Sequence, residues 1–383
     1  LGRQPIANKF LKKEEINDEF FFDLKVVFDE ETKLVSMKDF VKPELMFNED
    51  YKYNTSLSTP MVNHFRDTAQ MLDERFKPNK VLEIGSNDGP FISNFEKENS
   101  ICVEPCDNFA KITADMGYRT RTEFWTTELS EQIKSSDGEM DLIYSANCIC
   151  HIQDLDDCFS AVANLLSDNG VFVFEDPSLL RMLERGSYDQ IYDEHPHIFS
   201  VIALDNILKR NGLQISKVEN ISVHGGSNRI YAKKIGCIVD SSVEKNKSYE
   251  RILGLDKYET FVRFSEKVKQ SKDDLIRILN KCKEEGKKVI SYGATSKSTT
   301  IFNYCGIDKE LIQYITDTTP EKQNKLSPGV HIPIVSPENG FDNSVDFAFL
   351  GAWNFVKEIS EKESDYIQNG GKFITHVPSL QII

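Results

Sequence analysis

Apolar and polar positions change rhythm several times along this 383-residue chain. Up to about Phe76, short apolar runs (FFFDLKVVF and KLVSM) precede a polar YKYNTSLSTP stretch and a helical period through His64 and Met71, which predicts a small appended module. From Val81 the pattern becomes regular: VLEIG, a helix, ICVEP, a helix, MDLIYSANCI, the helix DLDDCFSAVANLLSDNG, then VFVFEDP. Strands separated by helices need crossover connections, so this rhythm predicts a parallel sheet with right-handed crossovers. The helix ALDNILKRNG and the strands LQISKVENI and NRIYAKK follow, the two strands as a terminal pair at one sheet edge. Residues 241–286 are charged, helical in period and poor in turn signals, and predict a connecting helical hairpin. A second alternation runs from KKVISYGATSKSTTIFNYCG to GGKFITHVP, as a second doubly wound unit would. The expected fold is α/β, with an N-terminal module (1–75), a Rossmann-like domain (76–236), a helical connector (237–286) and a C-terminal Rossmann-like domain (287–383).

The run VLEIGSNDGPF, Val81 to Phe91, is the most informative stretch. An apolar strand ends near Glu83 and gives way to Gly85, Ser86, Asn87, Asp88 and Gly89 before a helix. Glycines let the backbone turn sharply and approach a ligand. A dinucleotide fingerprint would place G-x-G-x-x-G against a pyrophosphate, yet here Asp88 stands in the loop, where a carboxylate repels phosphate. Acids suit an uncharged ribose and the cationic sulfonium and amino groups of S-adenosylmethionine. Glu104 in SICVEPCD lies 104 − 83 = 21 residues beyond Glu83, at the tip of the expected second strand, where an acid can accept ribose hydroxyls. The alternative is an ordinary strand-turn-helix with surface acids.

Charge narrows the partners. With 61 acidic and 46 basic residues the formal charge is −15, which opposes nucleic-acid backbones and anionic membranes but not a small anionic substrate. No apolar run approaches the roughly 18 residues that span a bilayer, and LGRQPIANKF lacks a signal-peptide core, so a cytoplasmic location is expected. The eight cysteines, among them Cys102, Cys106, Cys148 and Cys150 around apolar strands, read as reduced buried thiols rather than a zinc set.

Candidate chemistry concentrates in YDQIYDEHPHIFS, after the fourth expected strand, where Tyr188 and Tyr192 accompany Glu194, His195 and His197. A histidine is a natural general base near neutral pH, and a neighbouring carboxylate or phenol can orient it or stabilise an enolate. The same composition also fits a wet loop capped by aromatic packing. His151 in NCICHIQD, at the end of the third expected strand, either overlooks the same cleft or is a buried hydrogen-bonded group. HGGSNRIY places Gly225 and Gly226 before a strand that carries Arg229; turning the chain is the more common role of such glycines. YGATSKSTT opens a helix with Gly293, Lys297, Ser298 and Thr299, a phosphate-binding arrangement or a simple capped helix, without Walker spacing.

Taken in order, LGRQPIANKF, YKYNTS, LEIGSNDG, NCICHIQD, IYDEH, HGGSNR, YGATSKSTTIFNYCGI and ITDTTPEKQNKLSPGVHIPI resemble the sugar-nucleotide C-methyltransferases that place a branch methyl on keto-deoxysugars, over nearly the whole chain. The resemblance implies a zinc-binding N-terminal module, a class I methyltransferase domain for S-adenosylmethionine, and a C-terminal Rossmann-like domain that helps hold the sugar nucleotide. It implies His195 as base with Tyr192 and Glu194 beside it. His151 matches the histidine after the third strand, and Tyr53 the N-terminal active-site tyrosine. Cofactor contacts are expected from Glu83, Gly85, Ser86, Asn87, Asp88, Glu104 and Asn147, and substrate contacts from Arg229, Lys297, Ser298 and Thr299. Family members carry two C-x-x-C pairs; where the second should fall this chain has Asp29 and Thr32, and no early cysteine exists. No structural zinc is therefore expected, the module being held instead through Phe20, Phe21, Phe22 and Phe28. Asp193 in IYDEH is a second departure, one that a different sugar would explain. The reaction so implied is proton abstraction alpha to a ketone, then attack of the enolate on the donor methyl. O- or N-methylation of a sugar or other small metabolite, or a non-catalytic sugar-nucleotide or cofactor sensor, are the rival readings.

Overall fold

The computed structural model describes residues 1–49 and 51–383. In the N-terminal module β1 (Gly2–Pro5) pairs antiparallel with β2 (Phe21–Leu24), and β3 (Val26–Phe28) with β4 (Val35–Met37). At the hairpin between β3 and β4, the Thr32 amide and hydroxyl both donate to Asp29 Oδ1, at 2.6 and 2.7 Å. The two residues that stand where family ligands were expected thus close the turn on each other. The expected phenylalanine core is only partly formed. Phe22 joins the buried clusters and Phe28 packs on Phe261 with ring centroids 4.9 Å apart, while Phe20 is exposed and Phe21 lies under the Arg3 guanidinium.

Helix α1 (Thr59–Phe76) follows, its Met61, Phe65, Ala69 and Leu72 recurring every three or four residues on the face that covers the main sheet. That sheet contains β5 (Val81–Ile84), β6 (Ser100–Val103), β7 (Arg119–Arg121), β8 (Met140–Ala146) and β9 (Leu166–Pro177), linked through α2 (Asp107–Asp115), α3 (Thr127–Asp137) and α4 (Leu155–Leu165). After β9 come α5 (Leu179–Arg185), the short β10 (His197–Ile198) and α6 (Val201–Arg210), then β11 (Leu213–Ile221) and β12 (Ser227–Lys234). The strand order is β11-β12-β9-β8-β5-β6-β7, with every strand parallel except β12. The terminal pair lies where its sequence predicts. Strand β7 was not anticipated: RTR is three polar residues at a sheet edge, without the apolar run that marks its neighbours. β10 leaves this sheet and pairs with β4, stitching the YDQIYDEH loop to the N-terminal module.

Helices α7 (Ser241–Ile252) and α8 (Tyr258–Glu284) form a bridge, α7 packing on α6 and β11 and α8 on β13 (Val289–Tyr292) and α9 (Ser296–Cys305). The second sheet adds β14 (Ile315–Thr316), β15 (Ile334–Val335), β16 (Phe347–Leu350), β17 (Lys372–Thr375) and β18 (Gln381–Ile382), in the order β15-β14-β13-β16-β17-β18, with only β18 antiparallel. Both sheets reverse their strand order at a switch point, between β5 and β8 in one and between β13 and β16 in the other. Open α/β sheets bind ligands at such points.

The N-terminal chain locks the two sheets together. The Ala7 amide donates to Asp193 Oδ1 at 3.0 Å, while Thr299 Oγ1 donates to the Ala7 carbonyl at 3.1 Å. Farther on, Glu19 accepts the Gly329 amide and contacts His331 Nε2, both at 2.7 Å. Asp193 therefore clamps the N-terminal segment rather than meeting a sugar. No helix among the described residues is long and apolar enough to cross a membrane, and all eight cysteines are unpaired.

Candidate active site

The carboxyl ends of the two sheets and the N-terminal module enclose one cavity of about 720 Å³. Its chemistry changes from one end to the other.

At the β5 end, Glu83, Gly85, Ser86, Asn87 and Glu104 line the wall, with Asn147 and Cys148 after β8. Gly85 turns at φ +73°, and a Cβ there would stand 2.6 Å from Cys148 Sγ, so the turn admits only glycine. Glu104 accepts the Asn87 amide at 2.8 Å and the Cys106 amide at 2.9 Å, which fixes its carboxylate at the strand tip with lone pairs to spare. Burial raises both the Glu83 and the Glu104 carboxyls, and Ser86 Oγ is buried without a partner. A loop that turns on glycine, anchored acids and an orphaned hydroxyl fit the ribose and the cationic part of S-adenosylmethionine. Asp88 does not line the cavity: its Oδ2 accepts the Ser56 amide at 3.1 Å, holding the segment after Tyr53 against the loop.

The middle of the cavity is built by the loop after α5. His195 Nδ1 lies 2.7 Å from the Gln190 carbonyl, which can only accept, so Nδ1 carries the hydrogen and Nε2 is left bare. His151 stacks on His195, with centroids 5.2 Å apart and planes 19° off parallel, and the Tyr192 ring tilts against His195 at 4.2 Å. Burial drives His195 down to about 4, with the Lys297 charge adding to it, so the imidazole is neutral at physiological pH. Burial also lowers His151, whose Nε2 has no partner. Phe47 backs that ring at 5.3 Å. Glu194 accepts Asn8 Nδ2 at 2.6 Å and Tyr51 Oη at 3.4 Å. Its carboxyl is raised by burial, as is that of Asp193, where the Glu194 charge adds to the effect. Tyr53 reaches the cavity from the same segment, its carbonyl accepting Asn87 Nδ2 at 3.0 Å.

At the far end, Lys297 on α9 and Lys322 face the cavity with Asn354 and Phe355. Lys297 Nζ donates to Asn354 Oδ1 at 3.1 Å and sits 4.6 Å above the Trp353 ring; burial lowers its pKa, as it does that of Lys322. Ser298 and Thr299 are not in the wall: Ser298 bonds Thr295 at the start of α9 and Thr299 holds Ala7. Arg229 is also displaced from the site. It is buried between β9 and α1, donating to Glu175 Oε1 at 2.6 Å, Glu219 Oε2 at 3.2 Å and Thr68 Oγ1 at 2.7 Å. Tyr188 and His197 lie outside the cavity too, Tyr188 in the second sheet's core and His197 on the Gln153 carbonyl at 3.0 Å.

Sequence reasoning missed Asn8, Tyr51, Lys322 and His224. Asn8 and Tyr51 stand in the motifs LGRQPIANKF and YKYNTS, and His224 leads HGGS at φ 51°, its Nε2 buried without a partner. Those motifs were the only signal, because the contacts join residues up to 186 positions apart.

Comparison with known proteins agrees with this architecture. A family described as "Putative zinc binding domain" matches residues 1–47, "Methyltransferase domain" matches 62–218 and "C-methyltransferase C-terminal domain" matches 222–378. Residues 1–47 contain neither cysteine nor histidine. The C-methyltransferase NovU of Streptomyces niveus is 30% identical over 393 residues, covering 100% of this chain and 93% of that protein. Among solved structures, an S-adenosylmethionine-dependent methyltransferase from Clostridium acetobutylicum is 16% identical with a TM-score of 0.36, covering 46% of this chain and 92% of that one. The CcbJ methyltransferase from Streptomyces caelestis is 12% identical with a TM-score of 0.36, covering 54% and 99% respectively. Full-length kinship and two domain matches, laid on a sheet order and cavity of this kind, show that the chain belongs to the C-methyltransferase family, enzymes of the methyltransferase class whose donor is S-adenosylmethionine.

Proposed function

We propose that the protein methylates a carbon alpha to the ketone of a nucleotide-linked keto-deoxysugar, with His195 as general base. The observation that carries this reading is the polarity of the cavity: acids at one end, the half-buried Lys297 and Lys322 at the other, and a bare imidazole nitrogen between them. S-adenosylmethionine supplies, when bound, an electrophilic methyl group. Glu83 and Glu104 face its cationic and ribose parts; Lys297 and Lys322 face the diphosphate of the sugar nucleotide, in the C-terminal domain spanning 287–383. His195 Nε2 takes the alpha proton, and the electron pair moves onto the ketone oxygen, where His151 and Tyr192 stand to stabilise it. The enolate carbon would then take the methyl group that the bound donor supplies, with the donor's carbon–sulfur bond breaking. Glu194, held by Asn8 and Tyr51, contacts a sugar hydroxyl; its raised pKa lets it donate or accept there.

A diphosphate at Lys297 would offset the Lys297 charge, a smaller cause of the lowered His195 pKa than burial, and so recover part of the ring's basicity. The N-terminal module, with neither thiolate nor imidazole in residues 1–47, folds without zinc. The eight unpaired cysteines favour a cytoplasmic setting.

Two measurements test the proposal. A thermal-shift panel of TDP, GDP, CDP and UDP should raise the melting temperature with one of them, and Lys297→Met should remove that shift. With the matching keto sugar, deuterium should enter the alpha carbon without donor, and His195→Gln should slow exchange by about 10² to 10⁴. Methyl transfer without exchange, on an oxygen or nitrogen of the sugar, would overturn the carbon route.

A further inference from the structure

The loop that carries His195 is held from the other domain. Asp189, next to the Gln190 whose carbonyl fixes the His195 ring, is fully buried, and its Oδ2 accepts the indole N–H of Trp353 at 2.7 Å. His376 Nε2 lies 3.4 Å from the same oxygen. Trp353 follows β16 and His376 follows β17, so both partners belong to the second sheet. Trp353 is itself held by two contacts. The Lys297 ammonium lies over its ring, and Gly225 approaches so closely that a Cβ would meet Trp353 Cη2 at 2.5 Å. That contact gives the first glycine of HGGS a reason beyond turning the chain. Burial alone would raise the Asp189 carboxyl, yet His376, Lys297 and the indole hold it below the usual range.

We propose that Asp189 and Trp353 form a positioning pair for His195: the indole bond fixes Asp189, and with it the Gln190 carbonyl that leaves His195 Nε2 unprotonated and facing the cavity. This rests on the reading of His195 as the base. A catalytic imidazole works only in the tautomer that its second nitrogen's partner selects. The same pair ties the base to the lysine end of the cavity, because Lys297 touches Trp353 directly.

Nitrogen NMR of the full chain labelled with ¹⁵N-histidine tests this without substrate, the His195 signals being identified by their loss in His195→Gln. The wild type should show one neutral tautomer with the hydrogen on Nδ1. Trp353→Phe keeps the ring and removes the donor, and Asp189→Leu removes the acceptor; either should change the His195 tautomer ratio by about tenfold, roughly the worth of one hydrogen bond. Asp189→Asn keeps an acceptor for the indole and should retain the wild-type signal within about twofold, which also serves if the harsher variants fail to fold. Unchanged His195 resonances in folded Trp353→Phe or Asp189→Leu would overturn the proposal. So would an Asp189→Asn signal as altered as that of Asp189→Leu, since charge rather than the indole bond would then be responsible. The measurement needs no turnover, so a His195→Gln enzyme that still methylates would end the base assignment separately.

Discussion

Arg229→Met separates a structural from a substrate role for this arginine. Arg229 is 8% exposed, and its guanidinium has three acceptors, Glu175, Glu219 and Thr68. Its removal leaves the Glu175 carboxylate, 1% exposed, with His64 at 2.6 Å as its remaining side-chain partner. Breaking one side of a buried pair costs about 3–5 kcal/mol, because a charge stays buried without compensation. At about 2–4 °C per kcal/mol for a domain of this size, the melting temperature should fall by roughly 6–20 °C. Adding Glu175→Gln to the variant removes the stranded charge and should recover a large part of the loss. The pH dependence has a definite sign. Burial works to raise the Glu175 carboxyl, but His64 and Arg229 bring it below its ordinary value. A carboxyl lowered by folding stabilises the protein above its unfolded pKa, about 4.3, and loses that contribution as pH falls through the folded value, so the gap between wild type and variant should narrow in acid. Calorimetric melts from about pH 2 to pH 8, with and without the nucleotide that shifts the wild type, provide the assay. A variant that melts within about 1 kcal/mol of wild type but no longer responds to the nucleotide would refute the reasoning and return Arg229 to the substrate.

Three further outcomes are expected. Glu104→Gln should weaken S-adenosylmethionine by about 10- to 100-fold in a calorimetric titration, the range for a charge-assisted hydrogen bond, with nucleotide binding retained. Asp29→Ala should cost about 1 kcal/mol in a denaturant melt, since one exposed carboxylate oxygen closes the turn; the Thr32 hydroxyl above all lowers the Asp29 carboxyl, so this contribution is present above the ordinary aspartate pKa and fades as pH falls below it. Dialysis against a strong zinc chelator should leave the melting temperature unchanged, and a drop would show that the protein holds a metal.

The main sheet was legible because its strands are apolar runs separated by helical periods; β7 was not, since RTR at an edge buries little and carries no such signal. Glu83, Gly85 and Glu104 could be placed from local spacing, because a strand and the turn at its end fix their positions, although the helix expected after Gly89 is only two short 3-10 turns, Ile92–Asn94 and Lys97–Asn99. Arg229, Ser298 and Thr299 looked like ligand-binding groups for their residue types, but their partners Glu175, Thr295 and Ala7 decide their roles, and no local pattern names a partner. Asn8 escaped notice for the same reason: its bond to Glu194 spans 186 positions. Lys322 sits in the quoted motif ITDTTPEKQNKLSPGVHIPI, yet only the folded chain turns its side chain to the cavity.

Ala7 sits like a wedge in a mortise, its amide taken by Asp193 on one side and its carbonyl by Thr299 on the other. A chimera that exchanges the last hundred or so residues to reach a new sugar would keep both Rossmann-like halves intact and still work loose at this joint unless the hydroxyl at position 299 travels with the graft. Transplanting the first ten residues together with the C-terminal part should therefore succeed where the C-terminal part alone fails.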